Sequence, residues 1–147
     1  MKEVKRVTMD FKLDKSHLLQ QELFRRFAET EIKPLAKEMD EKEAYDLDLL
    51  AKMQRCGFFG IPYSRQYGGA GADVLSYAMC VEELAKVCGT TAVIVSAHTS
   101  LCAAPIFENG TEEQKMKYLP DLCSGKKIGA FGLTEPGAGT EDQVAGR

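Results

Sequence analysis

The chain has 147 residues, 44% of them hydrophobic and 28% charged, enough for a domain with a substantial core and ordinary for a soluble globular protein. Nineteen basic against 22 acidic residues leave a net charge of −3 without any basic block, which argues against electrostatic nucleic-acid binding. The five cysteines (Cys56, Cys80, Cys88, Cys102, Cys123) are odd in number and contain no C-x-x-C. That is reduced, intracellular usage, neither a disulfide framework nor a zinc site, and it predicts buried small hydrophobes.

The opening MKEVKRVTMDFKLD has no apolar core segment, and acidic residues interrupt its basic ones, so it reads as neither a secretory signal nor a transit peptide. From Leu18 to Leu35 the apolar residues at 19, 23, 24, 27, 28, 32 and 35 form one helical stripe. Asp14 or Ser16 is placed to cap it, and Pro34 to bend or restart it. A second helix is predicted from an Asp46 cap to Arg55, with Gly57 just past its end. YGGAGAD (67–73) reads as a loop, and Asp73 caps a helix carrying Leu75, Met79, Val81, Leu84 and Ala85, which Gly89 should end.

No formal charge occurs between Lys86 and Glu108, a run as long as the roughly 20 residues that span a bilayer. Thr90, Thr91, Ser96, His98, Thr99, Ser100 and Pro105 interrupt it, however, so a central helix buried in a bundle is expected, in a cytoplasmic protein. Thr111-Glu-Glu-Gln114 is a capping box with an acidic first turn that suits the helix dipole. Pro120 should limit that helix to a short first segment. KKIGAFGLT (126–134) is then the only predicted strand. The inventory is an all-α domain at 1–125, followed at 126–147 by the first strand of something else.

Two glycine-rich stretches invite comparison with a dinucleotide loop. Gly69-x-Gly71 and Gly137-x-Gly139 both lack the third glycine, and neither lies in a βαβ unit. The first is expected to be an ordinary turn. The second follows a strand interrupted by Gly129 and Gly132, a sign of close approach by a ligand or another backbone. Gly137 and Gly139 could expose N–H groups to phosphate, and Thr134 and Thr140 add hydroxyls. A plain turn and an anion loop both stay open on these grounds.

His98 reads as a satisfied interior histidine, since no ligand cluster accompanies it or His17. Glu82-Glu83 and Glu112-Glu113 read as solvated faces or dipole partners. Glu135 could be imagined as a general base but is expected to be structural.

Taken together, GFFGIPYSRQYGGAGAD (57–73), VEELAKVCGTTAVIVSAHTSL (81–101) and NGTEEQKMKYLPDLCSGKKIGAFGLTEPGAGT (109–140) resemble the N-terminal part of an acyl-CoA dehydrogenase. The likeness covers roughly residues 10 to 140 and is strongest to the short-chain members, the bacterial butyryl-CoA dehydrogenases. The resemblance implies a mainly α chain: the family's N-terminal helical domain plus the first strand and flavin loop of its central β domain. A C-terminal four-helix domain and a homotetramer complete the family's architecture. It also implies FAD, an acyl-CoA substrate, and electron-transfer flavoprotein as the electron acceptor. A glutamate removes the acyl α-proton while the β-hydrogen leaves as hydride.

By that resemblance the flavin segment maps onto Phe131, Gly132, Leu133, Thr134, Gly139 and Thr140. Leu133 and Thr134 would lie along the ring, with Thr134 hydrogen-bonded to its pyrimidine side. Gly139 and Thr140 would approach the pyrophosphate, and Thr140 the CoA ester as well. After Thr140 the sequence EDQVAGR departs from the family pattern. No acidic residue here matches the catalytic glutamate, and the second flavin-binding segment is absent from these residues. Two readings follow: a portion of a flavin-dependent short-chain acyl-CoA dehydrogenase, inactive by itself, or a truncated, non-catalytic helical binding or interaction module.

Overall fold

The computed structural model describes residues 12–134 and 136. Helix α1 (Lys15–Phe27) starts where Asp14 accepts the His17 N–H at 2.8 Å. It runs without a break through a π-helical turn (Ala28–Ile32) into α2 (Lys33–Glu41). In a regular helix the Pro34 ring would press on the Thr30 carbonyl. The wider turn relieves this, and Lys33 N–H reaches back to the Ala28 carbonyl. The anticipated bend at Pro34 thus takes the form of one wide turn.

Helix α3 (Leu47–Arg55) is capped by Asp46, which accepts the Leu49 N–H at 2.7 Å. A tight loop with one 3-10 turn (Arg65–Tyr67) leads to α4 (Val74–Ala85). Asp73 caps α4 by accepting both the backbone N–H and the hydroxyl of Ser76 at 2.8 Å. Gly89 does not end α4, which stops at Ala85. The break falls at Cys88, whose backbone is extended, and Gly89 is the first residue of α5 (Gly89–Ser96). A second π-helical turn (Ala97–Ala103) joins α5 to α6 (Ala104–Asn109), and here too a proline, Pro105, is the second residue of the helix that follows. Ala104 N–H reaches the Thr99 carbonyl, repeating the device used at Pro34.

Helix α7 (Glu112–Cys123) opens on the predicted capping box, with Thr111 N–H donating to Gln114 Oε1 at 2.8 Å. It then runs through Pro120 instead of stopping before it. The missing backbone bond is offset because Leu119, Leu122 and Cys123 on the same stretch are buried, each leucine worth about 1.5–3 kcal/mol.

Helix α1 packs on α4, α4 on α5, and α6 on α7. One core joins Phe24, Ile32, Leu49, Met53, Phe59, Leu84 and Val95. A second, smaller one joins Tyr63, Tyr67, Ala103, Leu119, Leu122 and Cys123 under the loop and α7. The helical run Gly89–Asn109 is long and apolar enough to cross a membrane by length and composition. Only one face of it is buried, through Thr91, Ala92, Val95, His98, Thr99 and Ala103, while Val93 and Leu101 are exposed. It is therefore less enclosed than the expected central helix. The cysteines also divide: Cys80 and Cys123 are buried, Cys88 and Cys102 partly so, and Cys56 is exposed.

No strand ladder forms among the described residues. Residues 126–134 leave α7 as a non-helical segment, and a strand needs a partner to be paired.

Candidate functional site

The expected site begins where α7 hands over to this segment. Gly125 turns the chain with φ +73°, and a Cβ there would press on the Phe59 ring at 2.6 Å. Its carbonyl accepts from Gln54 Nε2 at 2.8 Å. Lys127 N–H donates to the Asp121 carbonyl at 3.0 Å, while the Lys126 and Lys127 ammoniums pair with the Asp121 carboxylate at 3.4 and 2.9 Å. The Lys127 hydrogen bond, more than any other cause, lowers the Asp121 pKa.

Two residues further on, Gly129 N–H donates to His98 Nδ1 at 2.9 Å. Gly129 lies so close to the second π-helical turn that a Cβ would sit 2.6 Å from Cys102 Cβ and overlap its sulfur. The sequence pattern suggested a ligand or another backbone close to Gly129; what packs there is the Cys102 side chain, with the His98 ring accepting the Gly129 N–H. His98 is wholly buried, its ring set edge-on to Phe59 at 5.0 Å between centroids. Burial lowers its pKa, and the nearby Leu122 and Phe59 carbonyls oppose that effect. Because Nδ1 accepts, the ring is neutral with its proton on Nε2, which makes no hydrogen bond of good geometry. The interior position expected for His98 holds, with one nitrogen satisfied.

Beyond this anchor Phe131, Gly132, Leu133 and Thr134 run together along the surface. Phe131 and Leu133 are about half exposed (58% and 46%), and a Cβ on Gly132 would meet nothing within 4 Å. A free backbone face without a side chain in the way suits a flat ring. Pro136 lies in an exposed turn. Gly139 and Thr140 lie outside the described residues, as does Glu135.

The other glycine-rich stretch is closed to ligands. The N–H groups of residues 68 to 72 all donate internally: Gly68 to Arg65, Gly69 to Ser64, Ala70 to Gly60, Gly71 to Tyr63 and Ala72 to Ile61, at 2.8–3.1 Å. With every donor used, none is left for phosphate, so the loop is the turn it was read to be.

Two charged clusters went unread in the sequence. His17 bridges the caps of two helices, with Nδ1 3.0 Å from Asp14 and Nε2 2.8 Å from Asp73. The Asp73 hydrogen bond is the main cause that raises its pKa. Asp73 itself is held down at about 2, first by the Ser76 N–H. Glu83, expected on a solvated face, is buried, because α4 turns it toward α1 and Arg25 reaches it at 3.2 Å and Lys86 at 2.9 Å. Burial pushes its pKa up, but the two cations outweigh this and leave it lowered. Both clusters tie helices together, and neither adjoins residues 126–134.

The model of the acyl-CoA dehydrogenase N-terminal domain matches residues 14–126, most of the chain. The chain belongs to the acyl-CoA dehydrogenase family. It is 59% identical over 133 residues to the short-chain specific acyl-CoA dehydrogenase of Clostridium acetobutylicum, covering 90% of this chain and 35% of that one. Among solved structures it is similar to butyryl-CoA dehydrogenase from Megasphaera elsdenii, at 45% identity and a TM-score of 0.84, over 90% of this chain and 36% of the other. A structure of the electron transferring flavoprotein of Acidaminococcus fermentans, concerned with flavin-based electron bifurcation, holds a chain 47% identical with a TM-score of 0.86. That match covers 90% of this chain and 35% of the other. Acyl-CoA dehydrogenase complexed with FAD from Bacillus anthracis follows at 32% identity and a TM-score of 0.78, covering 87% of this chain and 22% of that one. The chain thus spans about a third of the length of the family members it matches. What it contains is the helical N-terminal domain of the acyl-CoA dehydrogenase fold.

Proposed function

We propose that this chain is the N-terminal part of a flavin-dependent acyl-CoA dehydrogenase that oxidises a short-chain acyl-CoA between its α and β carbons in the cytoplasm. Residues 1–125 form the helical domain, and 126–147 begin the β domain. The observation that carries this reading is the anchored segment 126–134, which leaves Phe131 to Thr134 exposed beside an open Gly132. The 59% identity to a short-chain specific relative, over 133 residues and 90% of this chain, supports the substrate class.

In this reading Phe131, Gly132, Leu133 and Thr134 line the flavin ring, and the Thr134 hydroxyl donates a hydrogen bond to it. Gly139 and Thr140 meet the cofactor's phosphates, and Thr140 also meets the CoA ester. FAD would supply the hydride acceptor. In this reading this chain's share is to orient the ring and shield it from water, and the catalytic glutamate comes from the remainder of the enzyme. Electron-transfer flavoprotein is the proposed acceptor, and a homo-oligomer the proposed assembly.

The test is an exchange. The matched N-terminal residues of the Clostridium acetobutylicum enzyme are replaced by those of this chain, and bound FAD is quantified from the visible spectrum of the purified protein. Stoichiometric flavin is expected. A folded, soluble chimera without flavin, beside a yellow parent enzyme, would contradict the reading and favour a helical interaction module instead.

A further inference from the structure

We propose that His98 is a proton-sensitive latch: its Nδ1 holds the Gly129 N–H and so seats residues 128–134 on the helical domain, and protonation of the ring releases them. Three observations meet at this point. Gly129 N–H donates to His98 Nδ1 at 2.9 Å, and this is a link between positions 31 residues apart. Gly129 is packed so closely on Cys102 that no side chain fits between them, so the segment has one seated position and little room to slide. His98 is buried on a π-helical turn, a helix distortion that is frequent at functional sites.

The chemistry is one-sided. A neutral imidazole offers one acceptor, and here Nδ1 spends it on Gly129. A protonated ring has two N–H donors and no acceptor, so Nδ1–H would face the Gly129 N–H with a donor against a donor. The bond is lost, and the partly buried Gly129 N–H regains a partner only by lifting toward water.

The charge surroundings leave the ring to respond to solution pH. From the loop it meets the Phe59 ring and carbonyl, and from α7 the Leu122 carbonyl, with no carboxylate or cation among the groups that act on it. The titratable groups on the elements packed against it are the Tyr63 phenol, which donates to the Thr99 carbonyl at 2.6 Å, and the Cys123 thiol, with Cys102 on its own turn. Burial pushes Tyr63 and Cys123 up, so both stay neutral through the acid range. The charges on the segment and α7, Lys126 and Lys127 with Asp121, pair at the surface. Those pairs hold residues 126 and 127 in place when His98 takes a proton, so release starts at 128. The seating of this segment on the helices does not depend on flavin binding.

The experiment follows the Gly129 amide and the His98 ring nitrogens by NMR in the full 147-residue chain. At pH 7.5 the ring should be the Nε2–H tautomer and the Gly129 amide protected from exchange. On acidification, protection at 128–130 should fall in step with His98 titration while the α5 amides stay protected. His98→Phe keeps a ring against Phe59 but removes the acceptor, and should cost Gly129 about tenfold in protection. His98→Asn places an oxygen near the Nδ1 position and should restore that protection while abolishing its pH dependence. Gly129→Ala, which lifts the backbone off Cys102, should lose protection with His98 still present. Gly129 protection that is unchanged in His98→Phe, or that ignores His98 titration in the unaltered chain, would overturn the proposal. If His98→Phe fails to fold, the titration of the unaltered chain decides alone.

Discussion

Replacing Pro120 with alanine should make the protein more stable, although the site lies beside a fully buried leucine. Pro120 sits inside α7, three residues before its end, with no N–H to give to the Met116 carbonyl. A proline in a helix interior costs about 3 kcal/mol. In the last turn only one bond is missing, so about half of that, 1–2 kcal/mol, is recoverable on the same scale. Alanine also frees the unfolded chain, which takes back about 0.4–1 kcal/mol. The net expectation is a gain of about 1 kcal/mol. Its neighbour should behave oppositely: Leu119 is fully buried among Tyr63, Tyr67, Ala103 and Leu122, and Leu119→Ala should cost about 2–5 kcal/mol. Urea unfolding followed by far-UV circular dichroism separates the two. With m values of about 1–3 kcal/mol/M, a 1 kcal/mol gain raises the midpoint by roughly 0.3–1 M at unchanged slope. A midpoint lowered in Pro120→Ala as far as in Leu119→Ala would refute the idea that α7 tolerates its proline only because of what it buries.

Further expectations concern charge and the cofactor. His17 has a raised pKa, so its bridge between Asp14 and Asp73 stabilises the fold below pH 6.5 and is lost as pH rises through the folded value. His17→Gln should therefore flatten the fall of Tm above pH 6.5, and an unchanged slope would show that the bridge contributes nothing. Arg25→Met leaves the buried Glu83 with Lys86 alone, so its pKa should rise and the acid-unfolding midpoint move to higher pH; a fixed midpoint would count against this. In the chimeric enzyme Thr134→Ala should weaken FAD binding by about 2- to 10-fold through one lost hydrogen bond, and an unchanged affinity would place Thr134 away from the ring. A polypeptide of these 147 residues alone should be colourless after purification with added FAD and should not turn over butyryl-CoA with an artificial electron acceptor. Turnover would mean that a base has been overlooked.

Local chemistry was legible in the sequence and distant chemistry was not. Asp14, Asp46, Asp73 and the Thr111–Gln114 box could be read because each cap bonds within three residues of itself. The two π-helical turns could not, since Pro34 and Pro105 signal only that a helix is in difficulty. Whether it breaks, bends or widens depends on what the continuing helix buries. Pro120 misled for the same reason, as burial of Leu119 and Leu122 outweighed one missing bond. Glu83 looked solvated because its partner Arg25 lies 58 residues away. At the candidate site, close packing was expected at both Gly129 and Gly132; it occurs at Gly129, where the local pattern named neither His98 nor Cys102, while Gly132 meets nothing within 4 Å.

The most direct measurement is anaerobic reduction of the chimera that carries this helical region. Butyryl-CoA should bleach the flavin's visible absorbance as fully as in the parent Clostridium acetobutylicum enzyme. A yellow, folded chimera that butyryl-CoA leaves unbleached would contradict the assignment to short-chain acyl-CoA oxidation.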